Sequence, residues 1–338
     1  MSIPDIVYKG HGTGNDFVIY ADPEGQYEPT AAEVRRITDR HFGIGGDGLI
    51  RLTHPRNVSD LDEATVASLE GDGVQWFMDY RNADGSLAQM CGNGTRVSAL
   101  FAQTVAQIQA EAHNAGIQAQ NGASMVSDTT VSDASADHSS HAFILGTRAG
   151  VKTIHAVPDD PVLGTQLFQV DMGPWSVGSP DDYVVTLPAA RGQAVGTYAD
   201  LGNPHIVVVA QNQSENTTLR QQAAQSDLGK VSQLDLTKAP IIEPVLESGQ
   251  NVEFLEVLSA DAHADAGRAN MRVNERGVGE TLSCGTGLCA SAAVLRSFTG
   301  ISHWTIGVPG GTLRVDVEAD RVLLTGAARI VARIELRK

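Results

Sequence analysis

The stretch MCGNGT at residues 90 to 95 has a near-copy far along the chain, SCGTGL at residues 283 to 288. Each copy places a cysteine before a glycine-rich turn, and these are two of only three cysteines in 338 residues. In both places the turn leads into a segment with helical spacing and few helix breakers. The repeat therefore predicts two similar units, each with a cysteine at a helix N-terminus.

The residues around the two turns also correspond. A Gly-Asn pair precedes each cysteine at a long distance, and its asparagine is Asn15 in the first half and Asn203 in the second. Closer in, Asn82 lies nine positions before the first cysteine and Glu275 nine positions before the second. Matches that come in the same order indicate an internal duplication. We therefore predict an α+β fold of two pseudo-symmetric halves, with a boundary near residues 150 to 160.

Local patterns predict several elements. Two short strands flank the turn HGTGND (11–16), and Thr30 and Glu33 have the spacing of a helix capping box. The apolar helix after SCGTGL is expected to be buried, and the last segments to be antiparallel strands. The polar stretches 54–75 and 113–142 are interpreted as exposed insertions.

Composition excludes several classes of function. A formal charge of −16 disfavours binding to nucleic acid or to anionic membranes. With no apolar stretch long enough to span a bilayer and no signal peptide, the expected location is the cytoplasm. Three cysteines do not make a disulfide framework, and the ten histidines lack metal-ligand spacing, so reduced thiols and no metal are expected.

The paired turns suggest a specific chemistry. A helix N-terminus offers unpaired N–H groups and a partial positive charge, which can hold a carboxylate and can lower the pKa of a cysteine. Two such turns facing each other across a cleft would place one sulfur on each side of a ligand. One thiolate could then remove a proton from a stereocentre while the opposing thiol delivers one to the other face. These residues require no redox cofactor.

Other interpretations of the same residues stay open. A single free cysteine is more often a small buried apolar side chain, and Cys289, inside the apolar helix, is best explained by packing. The glycine turns at 11–16 and 43–48 lack the lysine of a phosphate-binding loop. Asparagines commonly occupy turns, and His205 is equally suited to a structural or a functional role.

At this point the chain resembles a known family, the cofactor-independent diaminopimelate epimerases. The resemblance is carried by HGTGNDF, GIGGDG, DYRNADGSLAQMCGNGTR, GNPH, NVEF and NERGVGETLSCGTGLCA, in the family's order over nearly the whole chain. It implies two mixed, mostly antiparallel, barrel-like sheets, each around a central helix. It also implies halves at 1–155 and 156–326, with the strand at 327–338 returning to the first half, and a homodimer.

The resemblance assigns roles residue by residue. Cys91 and Cys284 would be the opposed acid and base that convert LL-diaminopimelate to the meso form without pyridoxal phosphate. His205 and Glu275 would support the catalysis. The remaining positions would bind the substrate, Glu275 and Arg276 at its distal amino acid end, and they are Asn15, Asn82, Gly92, Asn93, Asn203, Asn251, Glu275, Arg276, Gly285 and Thr286.

One departure and two rivals accompany this interpretation. Many members carry Gln where this chain has Gly48, so one substrate contact is expected to be missing or made by water. A proline or hydroxyproline racemase-type enzyme is the closest rival, although a charged second amino acid end fits Glu275 and Arg276 better. A rival of another class is a redox or binding protein that uses a Cys91–Cys284 disulfide as a switch.

Overall fold

The structure, a computed structural model, describes residues 2–120, 142–188 and 192–337. Its helices are α1 (Ala31–Thr38), α2 (Glu63–Gly71), α3 (Gly92–Gln120), α4 (Thr217–Ala223) and α5 (Gly285–Thr299). Its strands are β1 (Ile6–Gly12), β2 (Asn15–Asp22), β3 (Gly48–Thr53), β4 (Trp76–Asn82), β5 (Phe143–Thr147), β6 (Gly150–Val157), β7 (Leu167–Gly173), β8 (Ser176–Val177), β9 (Tyr183–Leu187), β10 (Gly192–Asp200), β11 (Pro204–Asn212), β12 (Ile241–Glu243), β13 (Asn251–Asp261), β14 (Ala266–Glu275), β15 (Gly279–Thr281), β16 (His303–Val308), β17 (Gly311–Val317), β18 (Val322–Ala327) and β19 (Arg329–Glu335).

Strand pairing repeats in the two halves. Strands β2 and β3 are parallel, β3 and β4 antiparallel, and β4 and β5 parallel, with α3 between β4 and β5 in the chain. Strands β11 and β13, β13 and β14, and β14 and β16 follow the same three-step pattern, with α5 preceding β16. The other strand pairs of the described chain are antiparallel. The predicted α+β fold with two pseudo-symmetric halves is confirmed.

The halves share one continuous sheet. Strand β6 pairs with β7, β7 pairs with β18, and the last strand, β19, pairs with the first, β1. The residue bounds 1–155, 156–326 and 327–338 stay a prediction. No helix in the part of the chain that the structure covers is long and apolar enough to cross a membrane.

Each repeated unit contains one central helix packed in its core. In α5, Leu288, Cys289 and Val294 are fully buried, and in α3 Val97 and Phe101 are fully buried. Burial on all sides requires a helix with almost no charged residues, which is the composition of α5. The predicted burial of this helix is therefore confirmed, and Cys289 is part of its packing.

Residues 54–75 are mostly exposed, as interpreted, but they also form regular structure and contribute a few side chains to the core. A 3₁₀ helix, Pro55–Asn57, and α2 occupy this stretch, and Asp62 caps α2 by accepting a hydrogen bond from the Thr65 N–H at 2.7 Å. Val58, Leu69 and Val74 are buried against Phe77 of β4. Their spacing matches no single period because a turn, a helix and a second turn each contribute one side chain.

The second predicted insertion, 113–142, is only partly described. Residues 113–120 continue α3, so the helix runs further than its sequence signal indicates. Residues 121–141 lie outside the described residues.

Candidate active site

The two cysteine turns meet at the interface of the two halves. A Cβ atom placed on Gly285 would lie 3.3 Å from the Cα of Gly92, so the first residues of α3 and α5 are in contact. The Asn93 side-chain Nδ2 donates a hydrogen bond to the main-chain carbonyl of Ser283 at 3.1 Å. The structure therefore brings together two stretches that are almost 200 positions apart in sequence.

Both cysteines lie at helix N-termini, as predicted. Cys284 is the N-cap residue of α5, with extended backbone angles, and Cys91 directly precedes the first residue of α3. The Gly94 N–H points to the Cys91 sulfur at 3.4 Å. A side chain in the second turn would displace Glu253, because a Cβ on Gly287 would lie 2.6 Å from one of its carboxylate oxygens. The positive ends of two helix dipoles thus converge on one small volume.

Asn15 and Asn93 surround the first thiol. The Cys91 thiol is 3.5 Å from the Asn15 Oδ1, which also accepts from Asn93 Nδ2 at 3.2 Å. The other end of the Asn15 amide donates to Asp47 at 2.7 Å, which fixes the amide orientation. Arg96, fully buried, donates to Asn93 Oδ1 at 2.7 Å. Each of these side chains thus holds the next one in place beside Cys91.

A chain of polar side chains leads to the second thiol. The Cys284 sulfur is 3.6 Å from the Thr286 hydroxyl, which accepts from Asn203 Nδ2 at 3.4 Å. The Asn203 Oδ1 lies 3.1 Å from His205 Nε2, and His205 Nδ1 lies 2.7 Å from the Glu253 carboxylate. His205 and Glu253 are both completely buried. His205 is therefore a core residue in hydrogen-bonded connection with the second turn.

Glu275, Arg276 and Asn251 lie together at the ends of β13 and β14. The Arg276 main-chain N–H donates to Asn251 Oδ1 at 2.9 Å, and its guanidinium donates to the Ser248 carbonyl at 2.7 Å while remaining exposed. The Glu275 carboxylate accepts from the Thr281 hydroxyl. Burial raises the pKa of Glu275, opposed by hydrogen bonds from Thr281 and Cys284.

Asn82 ends β4 on the edge that also carries Asn15 and Gly48. Its amide donates to the Ser86 hydroxyl at 3.0 Å. The space beside Gly48 is filled by Tyr80, whose ring carbon Cε2 would lie 2.6 Å from a Cβ on that glycine. The Tyr80 ring also packs edge-to-face on Phe17. A larger side chain at position 48 would therefore require Tyr80 to move.

The expected lowering of the thiol pKa is not met in this structure. Burial raises the pKa of Cys91 to about 11, although the Gly94 and Asn93 N–H groups favour the thiolate. Burial also raises the pKa of Cys284 well above its ordinary value, and the nearby Glu275 and Glu253 charges raise it further. Desolvation of the charged form thus outweighs the helix N-termini. Burial therefore favours the protonated form of both thiols in this structure.

A cavity of about 630 Å³ lies beside the turns. Its walls come from both halves: Gly14, Asp16 and Arg40 on one side, and Val278 and Leu282 on the other. Neither cysteine lines it, so it adjoins the candidate site without containing the reactive groups. Among the residues described, no group of three or more His, Cys, Asp or Glu side chains could hold a metal ion.

Sequence reasoning missed several polar groups of this site. Glu253 was quoted only as part of NVEF, yet a glutamate between the apolar residues Val252 and Phe254 is itself a signal of a buried charge. Asp47 and Thr281 carry no comparable signal, because they orient Asn15 and Glu275 only once distant segments have come together. All the residues assigned by resemblance lie on the segments described above.

Comparison with known proteins gives consistent results. Residues 7–142 and 197–331 match the family model described as diaminopimelate epimerase. A diaminopimelate epimerase of Thermobifida fusca is 35% identical over 332 residues, covering 97% of both chains. The diaminopimelate epimerase of Mycobacterium ulcerans is 35% identical and covers 98% of this chain and 96% of its own. That of Corynebacterium glutamicum (strain R) is 33% identical and covers 97% of both chains.

Solved structures share the fold. A phenazine biosynthesis protein of the PhzF family from Bacillus anthracis has a TM-score of 0.56 at 14% identity, covering 98% of this chain and 99% of that one. A hydroxyproline epimerase from Agrobacterium vitis has a TM-score of 0.55 at 13% identity, covering 99% and 92%. At these identities the likeness concerns the fold alone.

Proposed function

The chain belongs to the diaminopimelate epimerase family, and we propose that it interconverts LL- and meso-2,6-diaminopimelate, an isomerase reaction of amino acid biosynthesis. The observation that carries this proposal is the contact between two cysteine-bearing helix N-termini from opposite halves. Relatives named diaminopimelate epimerase match nearly the whole chain, and the residues that match the family model include both cysteine turns. Membership of this family implies a small-molecule substrate.

The proposed reaction uses Cys91 and Cys284 as a pair of acid and base. One thiolate takes the proton from the α-carbon, and the electron pair of that C–H bond remains on the carbon as a carbanion. The other thiol then gives its proton to the opposite face and becomes a thiolate, so configuration inverts with no net oxidation. The roles exchange in the reverse direction, so no cofactor is needed to balance the atoms or the electrons.

Charge develops on the substrate carboxylate as the carbanion forms. The N–H groups at the starts of α3 and α5, from Gly92, Asn93, Gly285 and Thr286, are suited to stabilise this charge. Groups that are already oriented need no reorganisation when the charge appears. The close packing of the two glycines lets both sets of N–H groups reach one carboxylate.

The distal amino acid end of the substrate needs its own polar partners. The exposed guanidinium of Arg276 suits a carboxylate, since its planar fork can bind both oxygens. Glu275 suits an ammonium group. The hydrogen bond from the Arg276 main-chain N–H to Asn251 holds the adjacent residues Glu275 and Arg276 in place. Asn15, Asn82 and Asn203 complete the proposed set of substrate-binding side chains.

The raised thiol pKa values suggest that substrate binding is needed to ionise one of the thiols. Each thiol loses its proton more easily when a positive charge approaches, and diaminopimelate carries two ammonium groups. We expect one thiol to ionise only when the substrate is bound and water is excluded. His205 and Glu275 would assist, because both lie in the polar surroundings of Cys284.

The test of this proposal is an assay on purified, reduced protein without added cofactor. LL-diaminopimelate should be converted to the meso isomer, while L-proline and trans-4-hydroxy-L-proline should remain unchanged. Turnover of the proline derivatives but not of diaminopimelate would favour the racemase-type rival. Activity that requires a Cys91–Cys284 disulfide would favour the redox rival.

The proposal includes two further features taken from the family resemblance. We propose a homodimer and a cytoplasmic location, where both thiols stay reduced. Sedimentation of the purified protein tests the first. Fractionation of the cells that produce it tests the second.

A further inference from the structure

The most unusual charged group outside the assigned residues is Glu253 of β13. Its side chain is completely buried, and one carboxylate oxygen, Oε1, lies 2.7 Å from His205 Nδ1. The second oxygen, Oε2, is buried and makes no hydrogen bond to any part of the chain that the structure describes. An unsatisfied buried carboxylate oxygen is costly, so a purely structural role would favour a neutral residue here.

The contacts of His205 define its protonation state. Its Nδ1 faces a carboxylate oxygen, and its Nε2 faces the amide oxygen of Asn203 at 3.1 Å. With the Asn203 amide oxygen facing Nε2, as in this structure, and with Glu253 ionised, neither oxygen can donate, so both ring nitrogens carry hydrogen. His205 is then an imidazolium ion whose charge is balanced by Glu253 inside the protein.

This ion pair acts on the second cysteine turn through Asn203. Because the imidazolium Nε2–H fixes the amide oxygen of Asn203, its NH₂ group must point the other way, to the Thr286 hydroxyl at 3.4 Å. That hydroxyl lies 3.6 Å from the Cys284 sulfur. Glu253 also lies directly under the start of α5, where a Cβ at position 287 would contact its carboxylate.

We propose that Glu253 is a positioning residue for proton transfer: by holding His205 as a buried imidazolium, it fixes the orientation of Asn203 and Thr286 beside the Cys284 thiol. The role in proton transfer rests on the proposed function, whereas the charge state of His205 does not. Loss of the Glu253 charge would let His205 become neutral. A neutral His205 can carry its hydrogen on either ring nitrogen, so the Nε2–H that fixes the Asn203 amide would no longer be permanently present.

The charge state can be measured in the unmutated protein. In a sample labelled with ¹⁵N only at histidine, the His205 signals are identified by their absence in a His205→Gln variant. We expect both ring nitrogens of His205 to show the chemical shifts of protonated nitrogen at pH 8, where exposed histidines are neutral. One protonated and one unprotonated nitrogen would overturn the proposal, whether or not the protein epimerises diaminopimelate.

The catalytic consequence is tested with Glu253→Gln, which keeps the shape but removes the charge. We expect kcat to fall on the order of 10- to 100-fold, as for other partners that orient a reacting group, with KM changed less than about 3-fold. Glu256→Gln is the matched control, since Glu256 lies on the same strand and accepts hydrogen bonds from the neutral amides of Gln213 and Asn270. It should keep its activity.

A double-mutant cycle separates positioning from general destabilisation. If Glu253 acts through His205, adding Glu253→Gln to His205→Gln should reduce kcat by less than about 2-fold. An equal reduction in both backgrounds would contradict the proposal. If Glu253→Gln alone fails to fold, kcat of the double variant can still be compared with kcat of His205→Gln. The double variant leaves no unpaired buried charge. A wild-type protein without epimerase activity would instead remove the proposed function.

Discussion

Gly92 and Gly285 begin two helices from opposite halves of the protein, and a Cβ on Gly285 would lie only 3.3 Å from the Gly92 Cα. A contact of this length is tighter than ordinary van der Waals packing, so even a methyl group at position 285 would require the helix starts to shift. The same atom would also lie 3.3 Å from Leu324 Cδ2. The geometry proposed to hold the substrate carboxylate therefore depends on the absence of a side chain at this point.

Gly285→Ala should therefore damage activity more than stability. The added methyl group must push the two turns apart by a few tenths of an ångström, which displaces the N–H groups from the carboxylate. We expect kcat/KM to fall at least 10-fold, while the free energy of unfolding falls by about 1–3 kcal/mol. Gly71→Ala in α2, where a Cβ would have no atom within 4 Å, is the control and should keep full activity. Equal activity of the two variants would contradict the account of this contact.

The three cysteines should respond differently to replacement by alanine. Cys91→Ala and Cys284→Ala should each abolish epimerisation with the fold intact, as judged by circular dichroism and thermal unfolding. Cys289→Ala, which opens a small cavity inside α5, should keep its activity and lose about 1 kcal/mol of stability. An inactive but folded Cys289→Ala would show that the assignment to packing is wrong.

The raised pKa of Cys91 predicts a pH dependence of stability. The folded protein holds this thiol proton up to about pH 11, whereas the unfolded thiol ionises near pH 9. The stability is thus fully present below pH 9 and is lost as the pH rises toward 11, by about 3 kcal/mol at most. Urea unfolding of wild type and Cys91→Ala at pH 8 and pH 10.5 measures this difference. Since other groups titrate in both proteins, an unchanged difference would contradict the raised pKa.

Gly48 should resist any larger side chain. A Cβ there would lie 2.5 Å from the Arg81 carbonyl oxygen as well as close to the Tyr80 ring, so backbone has to move. Gly48→Ala should lower the free energy of unfolding by about 1–3 kcal/mol. Chemical denaturation of this variant and of Gly71→Ala gives the comparison. A stability equal to that of wild type would show that β3 and β4 separate easily here.

Local signals predicted much of this molecule. The capping box of Thr30 and Glu33 starts α1 as expected, with both of its hydrogen bonds formed. The cysteines lie at the starts of α3 and α5 because a glycine turn followed by helical spacing leaves few other conformations. The internal duplication could also be predicted from sequence, because repeated local patterns keep their order when a unit is copied.

What sequence could not predict depends on distant contacts. The buried ion pairs of Arg51 with Asp22 and Asp79 join three strands, and no local pattern distinguishes these residues from surface charges. The prediction that the thiol pKa values would be lowered was wrong for the same reason. A helix N-terminus is visible in sequence, but the burial that outweighs it arises only when the two halves pack together.

The central claim is that Cys91 and Cys284 transfer protons on opposite faces of one carbon. Its most direct test is the reaction of unlabelled LL-diaminopimelate in heavy water, stopped at low conversion and examined by mass spectrometry and chiral separation. The account predicts that the meso product carries one solvent deuterium while the remaining LL substrate carries almost none, because the proton is delivered by a different thiol from the one that removes it. Meso product that retains the substrate's own proton would show that one base serves both faces, and would contradict the two-cysteine mechanism.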